Sequence, residues 1–435
     1  MEIEADELSQ REIAFLPDII DSETLYSWTG HYHRLSGNAS PKDTSRKLFG
    51  DERAGLRTEF PSQLDYVASV TNCVFGDAET LAYRHTLFGF CAPFQTEASV
   101  MKALEGMKGN GVKSIKAMLG LQGKGFSAFQ HLKACPDCMM EDMKKYSLTK
   151  WHVEHQWPAA WVCRKHGALL RVVKQEVLNH GPKQFLLPQD IYKRQFESIS
   201  EKSSEQIEVL RKVVDFCASL ARRRNHYLNP ELLRHTYVLG AKKYDWINMD
   251  GTLKQIDLWI AFRNYYRGLE DLHEFGHIEL SGAGRQFVVR QFQNLDLGTH
   301  PIRHVLLMAF IFDSTGEFES TYEQVCSKFR NCERSIVYEL ADLNLRPELR
   351  KSNKKENILV KNVSIALGTS HKHARRVYKI HGAVRCSRFV MNSERWHRFR
   401  QQIFDGIDLR EVGRQTGHSV SYLRRYLSEN PDLAI

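Results

Sequence analysis

Between residues 205 and 224, apolar side chains recur every three to four positions, the beat of an amphipathic helix. The same spacing persists from Asn229 to about Leu340. Within it, His304-Val305-Leu306-Leu307-Met308-Ala309-Phe310-Ile311-Phe312 reads as a buried helix, far short of the roughly 20 residues that cross a bilayer. Upstream, Pro17 stops regular structure, and Asp21-Ser22-Glu23 supplies capping chemistry for a helix through Leu25, Tyr26 and Trp28. The polar stretch from Pro41 to Leu56 reads as loop. Phe60-Pro61-Ser62 opens a second helix through Leu64, Val67 and Val70, and Gly76-Asp77 breaks it before Ala78 to His85. That helix pair suits a helix-turn-helix or a plain helical hairpin equally.

Lys108 to Gly125 is rich in glycine and lysine but lacks the G-x-x-x-x-G-K-[ST] spacing of a phosphate loop. It reads as a flexible loop. The aromatic side chains of Tyr244, Trp246, Trp259, Phe262, Tyr265 and Tyr266 fall at helical spacing, which favours core packing over base stacking. The expected fold is mainly α and multidomain. An N-terminal helical domain (1–125) precedes a zinc-binding domain (126–180), a helical middle (181–350) and two helix-turn-helix units (351–390 and 391–435).

Composition narrows this picture. The chain has 435 residues, of which 42% are hydrophobic and 26% charged, as in globular proteins. Glu2, Glu4, Asp6 and Glu7 crowd the start, where a signal peptide needs basic residues. No membrane partner is expected. The net charge of +9 is modest, but lysine and arginine concentrate after residue 350, which favours nucleic acid. Nine cysteines fit a reducing cytoplasm, the expected location.

Three of those cysteines stand together. Cys135-Pro136-Asp137-Cys138 is a C-x2-C knuckle, and Cys163-Arg164-Lys165-His166 a C-x2-H knuckle, with 24 residues between them. Each spacing turns two side chains onto one point, and two knuckles supply a tetrahedron. One structural Zn2+ is expected on Cys135, Cys138, Cys163 and His166. Four protein ligands leave no open position for catalysis. A lone C-x2-C is also a redox spacing, which the second knuckle makes the weaker reading. His152 and His155 compete with His166 but read as packing or hydrogen-bonding groups. Trp151, Trp157 and Trp161 read as the wrapping of the zinc core.

The C-terminal third repeats itself. Val363-Ser364, Leu367-Gly368, Ala374 and Val377 are matched by Val412-Gly413, Thr416-Gly417, Leu423 and Tyr426, each pair offset by 49 residues. Apolar positions around a turn glycine fit a helix-turn-helix in each copy. The second helix of each would face DNA. The first copy presents Ser370, His371, Lys372, His373, Arg375 and Arg376, and the second presents Ser419, Ser421, Tyr422, Arg424 and Arg425. Arginine reads guanine in the major groove, while serine and lysine hold phosphates. Ser352 to Asn357 reads as the linker before them.

These residues together resemble the TniQ/TnsD family of bacterial transposition target-selection proteins. The resemblance runs through Phe15-Leu16-Pro17, Glu23-Thr24-Leu25-Tyr26-Ser27-Trp28, Leu48-Phe49-Gly50, Phe60-Pro61, His85-Thr86-Leu87-Phe88 and Pro93-Phe94. It continues through the two knuckles with Trp151-His152 and Glu154-His155-Gln156, and through His300-Pro301-Ile302-Arg303-His304. It implies a non-catalytic adaptor that marks an insertion site on double-stranded DNA and recruits a TnsC-like AAA+ ATPase. Shorter relatives dock instead on a CRISPR effector complex. The paired C-terminal units favour the branch that binds DNA directly. A transcription regulator is a further alternative, without an evident small-ligand domain.

Overall fold

The chain divides into two compact units, Met1–Tyr322 and Glu323–Ile435. In this computed structural model the structure describes residue 13 and residues 15–328, apart from 112–114, 122–131, 181–183, 224–226, 249–252, 280–287 and 293–299. The 352–357 linker and both proposed helix-turn-helix units lie outside the described residues.

The first unit is mainly helical. It opens with α1 (Leu25–Ser36), α2 (Pro41–Phe49), α3 (Leu64–Val70), α4 (Ala78–His85), α5 (Phe88–Cys91), α6 (Glu97–Lys108) and α7 (Ile115–Met118). A small mixed segment follows: β1 (Lys133–Ala134), α8 (Pro136–Tyr146), α9 (Val153–Gln156), β2 (Arg171–Val172) and α10 (Gln175–His180). Next come α11 (Ser204–Ala221), α12 (Pro230–Lys242), α13 (Gln255–Tyr265), α14 (His273–Glu279), α15 over 288–292, α16 (Pro301–Ile311) and α17 over 315–328.

Two expected loops hold helices. Ser40 and Pro41 give α2 its cap and first turn, with Ser40 accepting from the Asp43 amide, and Gly50 ends it in the left-handed conformation. Its polar sequence hides a narrow inner face of Thr44, Ser45, Leu48 and Phe49, which is why the stretch reads as loop. Within 108–125, α7 forms around the buried Ile115. The cap of α1 also differs from expectation. Thr24, not the Asp21-Ser22-Glu23 run, accepts from the Ser27 amide at 3.1 Å. Ser22 is spent on a left-handed turn at φ 59°, and the buried Glu23 carboxylate faces His31 Nδ1 at 2.9 Å.

The pair α3–α4 packs as expected, but Leu81, Ala82, Tyr83 and His85 of α4 are buried, leaving little of that helix to enter a DNA groove. α11 is the axis of the helical half and packs against α5 and α16. Of the middle aromatics, Phe262 and Tyr266 are buried, Trp246, Trp259 and Tyr265 are half-buried and Tyr244 is exposed; Tyr244, Trp246 and Phe310 form a stack with centroids 4.5 and 4.7 Å apart.

One apolar cluster joins α1 to the mixed segment. Tyr26 packs with Leu132, Ala134, Trp151, Phe185 and Leu187. Its polar atoms are matched: the Leu186 amide donates to Tyr26 Oη at 3.0 Å, and Trp151 Nε1 donates to the Leu186 carbonyl at 2.7 Å.

Candidate metal centre

Each knuckle has a local reason to form. Cys135 sits in extended backbone (φ −87°, ψ 127°) as the N-cap of α8, and Pro136 fixes the first turn. Cys138 then lies one turn into the helix, on the side of Cys135. In the second knuckle the Gly167 amide donates to the Cys163 carbonyl at 2.8 Å, and the Cys163 amide to the Ala168 carbonyl at 2.8 Å. Gly167 closes that turn at φ 68°, a conformation that a side chain disfavours. Flanking the knuckles, β1 pairs antiparallel with β2 in the register Lys133↔Val172 and Ala134↔Arg171. That register brings the residue after β1, Cys135, beside the turn before β2.

The four side chains meet. The ligand atoms of Cys135, Cys138, Cys163 and His166 all lie within 4.8 Å of one another. His166 Nδ1 stands 3.5, 3.4 and 3.6 Å from the sulfurs of Cys135, Cys138 and Cys163, and the last two sulfurs are 3.6 Å apart. A tetrahedron with metal–sulfur bonds of about 2.3 Å and a metal–nitrogen bond of about 2.0 Å has S···S edges of about 3.8 Å and S···N edges of about 3.6 Å. The cluster has those dimensions. Leu170 and Ala168 close it on the apolar side.

The protonation chemistry of the set asks for a cation. Hydrogen bonds from Cys135 and Cys138 hold the Cys163 thiol far below its ordinary range. The same contacts, with Cys135 and then Cys163, push Cys138 far up. Cys135 gains a lowering contact from Cys138, yet Cys163 and burial push it up to about 11. Without a cation, a second or third thiolate would face like charge at van der Waals distance. A soft dication removes that penalty and takes all three thiolates with a neutral imidazole. The residues therefore fit one metal ion.

Groups outside the ligands orient them. His166 Nε2 meets Glu141 Oε1 at 3.1 Å, which leaves Nδ1 free to face the sulfurs. Glu141 also pairs with Lys165. Glu141 was not singled out from sequence, although it stands one helical turn after Cys138 on the same face. Arg164, inside the second knuckle, donates to Asp215 of α11 at 2.8 Å. The competing histidines stand beside the cluster: His152 Nε2 meets Asp142 Oδ2 at 2.8 Å, His155 Nε2 approaches the Cys138 sulfur at 3.9 Å, and the ligand atoms of Cys138, His152 and His155 also lie within 4.8 Å of one another.

The tryptophans do not wrap the metal cluster alone. Trp151 belongs to the cluster around Tyr26, Trp157 stacks on Phe90 of α5 at 6.5 Å, and Trp161 Nε1 donates to Glu274 of α14 at 2.6 Å. They fasten the mixed segment to helices on both sides of it in sequence.

Ser370, His371, Lys372, His373, Arg375, Arg376, Ser419, Ser421, Tyr422, Arg424 and Arg425 lie outside the described residues. No described helix is long and apolar enough to cross a membrane.

Comparison with known proteins covers both parts of the chain. Residues 14–170, which include all four cluster residues, match the TniQ family model. Residues 214–434, which include both 49-residue repeats, match the model of Tn7-like transposition protein D. The transposon Tn7 transposition protein TnsD of Escherichia coli is 27% identical over 150 residues, which are 34% of this chain. The matched stretch spans 30% of that relative's length.

Proposed function

The chain belongs to the TniQ/TnsD family of transposition proteins, and from that membership we propose that it is a non-catalytic adaptor which selects a target site by binding double-stranded DNA directly. The observation that carries this reading is the match of residues 214–434 to Tn7-like transposition protein D, because that stretch contains the repeated units and most of the basic excess. In each unit the second helix enters a major groove. Arg424 and Arg425, with Arg375 and Arg376, read bases, and the serines, lysine and helix N-termini grip phosphates. The N-terminal region recruits a TnsC-like AAA+ ATPase, and the transposase follows from there.

The metal of the Cys3His cluster is one structural Zn2+ in this reading. Three thiolates and one imidazole at tetrahedral spacing suit zinc, and the full set leaves no position for substrate. Its work is architectural. It locks the two knuckles, of which the second reaches α11 through Arg164, in a segment whose indoles reach α1, α5 and α14.

A gel-shift of the full chain against genomic fragments tests the proposal. One preferred fragment is expected, with affinity falling at least tenfold in the Arg424→Ala, Arg425→Ala double variant, since each good base contact is worth about 1–3 kcal/mol. Unselective binding that the double variant leaves unchanged would favour a selector guided by RNA through a CRISPR effector complex.

A further inference from the structure

Beside the metal cluster stands a histidine that the ligand set does not use. His155 is buried, 4% exposed, on the single turn of α9. Its Nε2 faces the Cys138 sulfur at 3.9 Å. Its Nδ1 is buried and has no hydrogen-bond partner among the described residues. His152 stands against it with ring centroids 4.8 Å apart, and Asp142 holds His152 through the 2.8 Å contact to Nε2.

A neutral imidazole has one N–H and one lone pair. A proton on Nδ1 would be stranded in the core, and two electron-rich atoms, Nε2 and sulfur, would then face each other. A proton on Nε2 instead points at sulfur. We infer that His155 is a positioning residue of the metal centre: it donates Nε2–H to the Cys138 thiolate, and Asp142 and His152 brace it there. The inference rests on the metal reading of the cluster. The hydrogen bond has a physical consequence. It draws electron density from a thiolate in a site of three anionic sulfurs and one dication, so it steadies that thiolate and slows loss of the metal. His166, whose side chain is 17% exposed, is the least buried of the four, and with it open the metal would rest on Cys138 and the other two sulfurs.

The test uses the full chain loaded with Zn2+ or Co2+, with His155→Phe, His155→Gln and Cys163→Ser. Phenylalanine keeps the ring and removes the N–H, while glutamine restores a donor. Metal content, the sulfur-to-cobalt absorption band and the rate of zinc transfer to a chromogenic chelator are read. One metal per chain is expected in the wild type and both His155 variants. In His155→Phe the cobalt band shifts and zinc transfer runs about tenfold faster, the lower end of the usual effect of outer partners on metal sites. His155→Gln is expected near the wild type. A His155→Phe protein with the wild-type band and rate overturns the inference and leaves the metal reading intact. So does a His155→Gln protein as fast as His155→Phe, because a restored donor would then fail to recover the effect. A wild type without metal, indistinguishable from Cys163→Ser, overturns the metal reading and this inference together.

Discussion

His300 and His304 show how single residues of the middle helices depend on staying neutral. His304 packs on Phe94 with ring centroids 4.9 Å apart, and its Nδ1 meets Tyr237 Oη at 3.0 Å. Burial, reinforced by Arg303, lowers its pKa to about 3. His300 caps α16: its Nδ1 accepts from the Ile302 amide at 3.3 Å, so protonation there removes the cap. Burial and then Arg303 lower it to about 4. The unfolded chain takes up protons near pH 6.5, whereas the folded chain does not until about pH 4 and 3. Stability from these groups is therefore full above pH 6.5 and falls as pH drops through that window, by up to about 1.4 kcal/mol per pH unit for each. His304→Phe is expected to flatten the dependence of the urea midpoint between pH 6.5 and 4.5 by about one proton's worth. An unchanged slope would mean that His304 is not the group that resists protonation. His31 has the opposite sign. Burial lowers it, but the Glu23 hydrogen bond and charge raise it more, so its contribution is full below pH 6.5 and fades as pH rises through the raised value. His31→Gln should then cost stability at pH 6 and progressively less in alkaline buffer, as urea melts at the two pH values would report.

At the scale of elements, the mixed segment acts as a fastener between two helical groups. Lys133 on β1 is buried at 3% exposure, with Nζ donating to the Trp157 and Ala160 carbonyls at 2.9 and 2.6 Å. Its charge lies near the carboxylate of Glu274 on α14, and burial pulls its pKa down. Lys133→Ala would take its donor from the Ala160 carbonyl, while the Trp157 carbonyl keeps the Ala160 amide and Glu274 keeps Ala159 and Trp161, and is expected to cost about 1–3 kcal/mol in urea unfolding. Lys133→Met, which keeps the volume, would still leave the Ala160 carbonyl without that donor. Cys163→Ser is expected to abolish metal binding and to destabilise the whole Met1–Tyr322 unit, as far-UV circular dichroism and thermal melts would show. A folded Cys163→Ser protein that lost only DNA affinity would put the recognition surface at the metal instead.

Much of this level was legible in sequence. Ligand chemistry constrains residue type and spacing tightly, so the knuckles at 135–138 and 163–166 stood out. Gly76-Asp77 marked the start of α4 because asparagine-like capping needs a short acceptor there. The misses have physical causes as well. α2 buries a face only four residues wide, which periodicity hardly registers. Thr24 takes the cap, while Glu23, outside the helix, turns to His31 eight residues on in α1, a partner that no local rule foresees. Glu141, Glu274 and His155 gained their roles from tertiary contacts across 25, 113 and 17 residues.

Taken as a whole molecule, the chain is proposed to separate holding from reading. The indoles and the buried Lys133 tie the first unit together, and a metal on the Cys3His cluster is proposed to lock the knuckles. The basic repeats after residue 350 are proposed to read DNA. Binding through those repeats should weaken steeply with salt, because each phosphate contact releases a counterion. It should also survive His155→Phe, which touches the centre but no basic repeat. The most direct measurement is selection: the purified full chain captures fragments of a sheared bacterial genome at physiological salt, and the captured DNA is sequenced. Strong enrichment of one short site, lost in the Arg424→Ala, Arg425→Ala variant, is the expected result. Capture spread evenly over the genome, and unaltered by that variant, would contradict direct target selection.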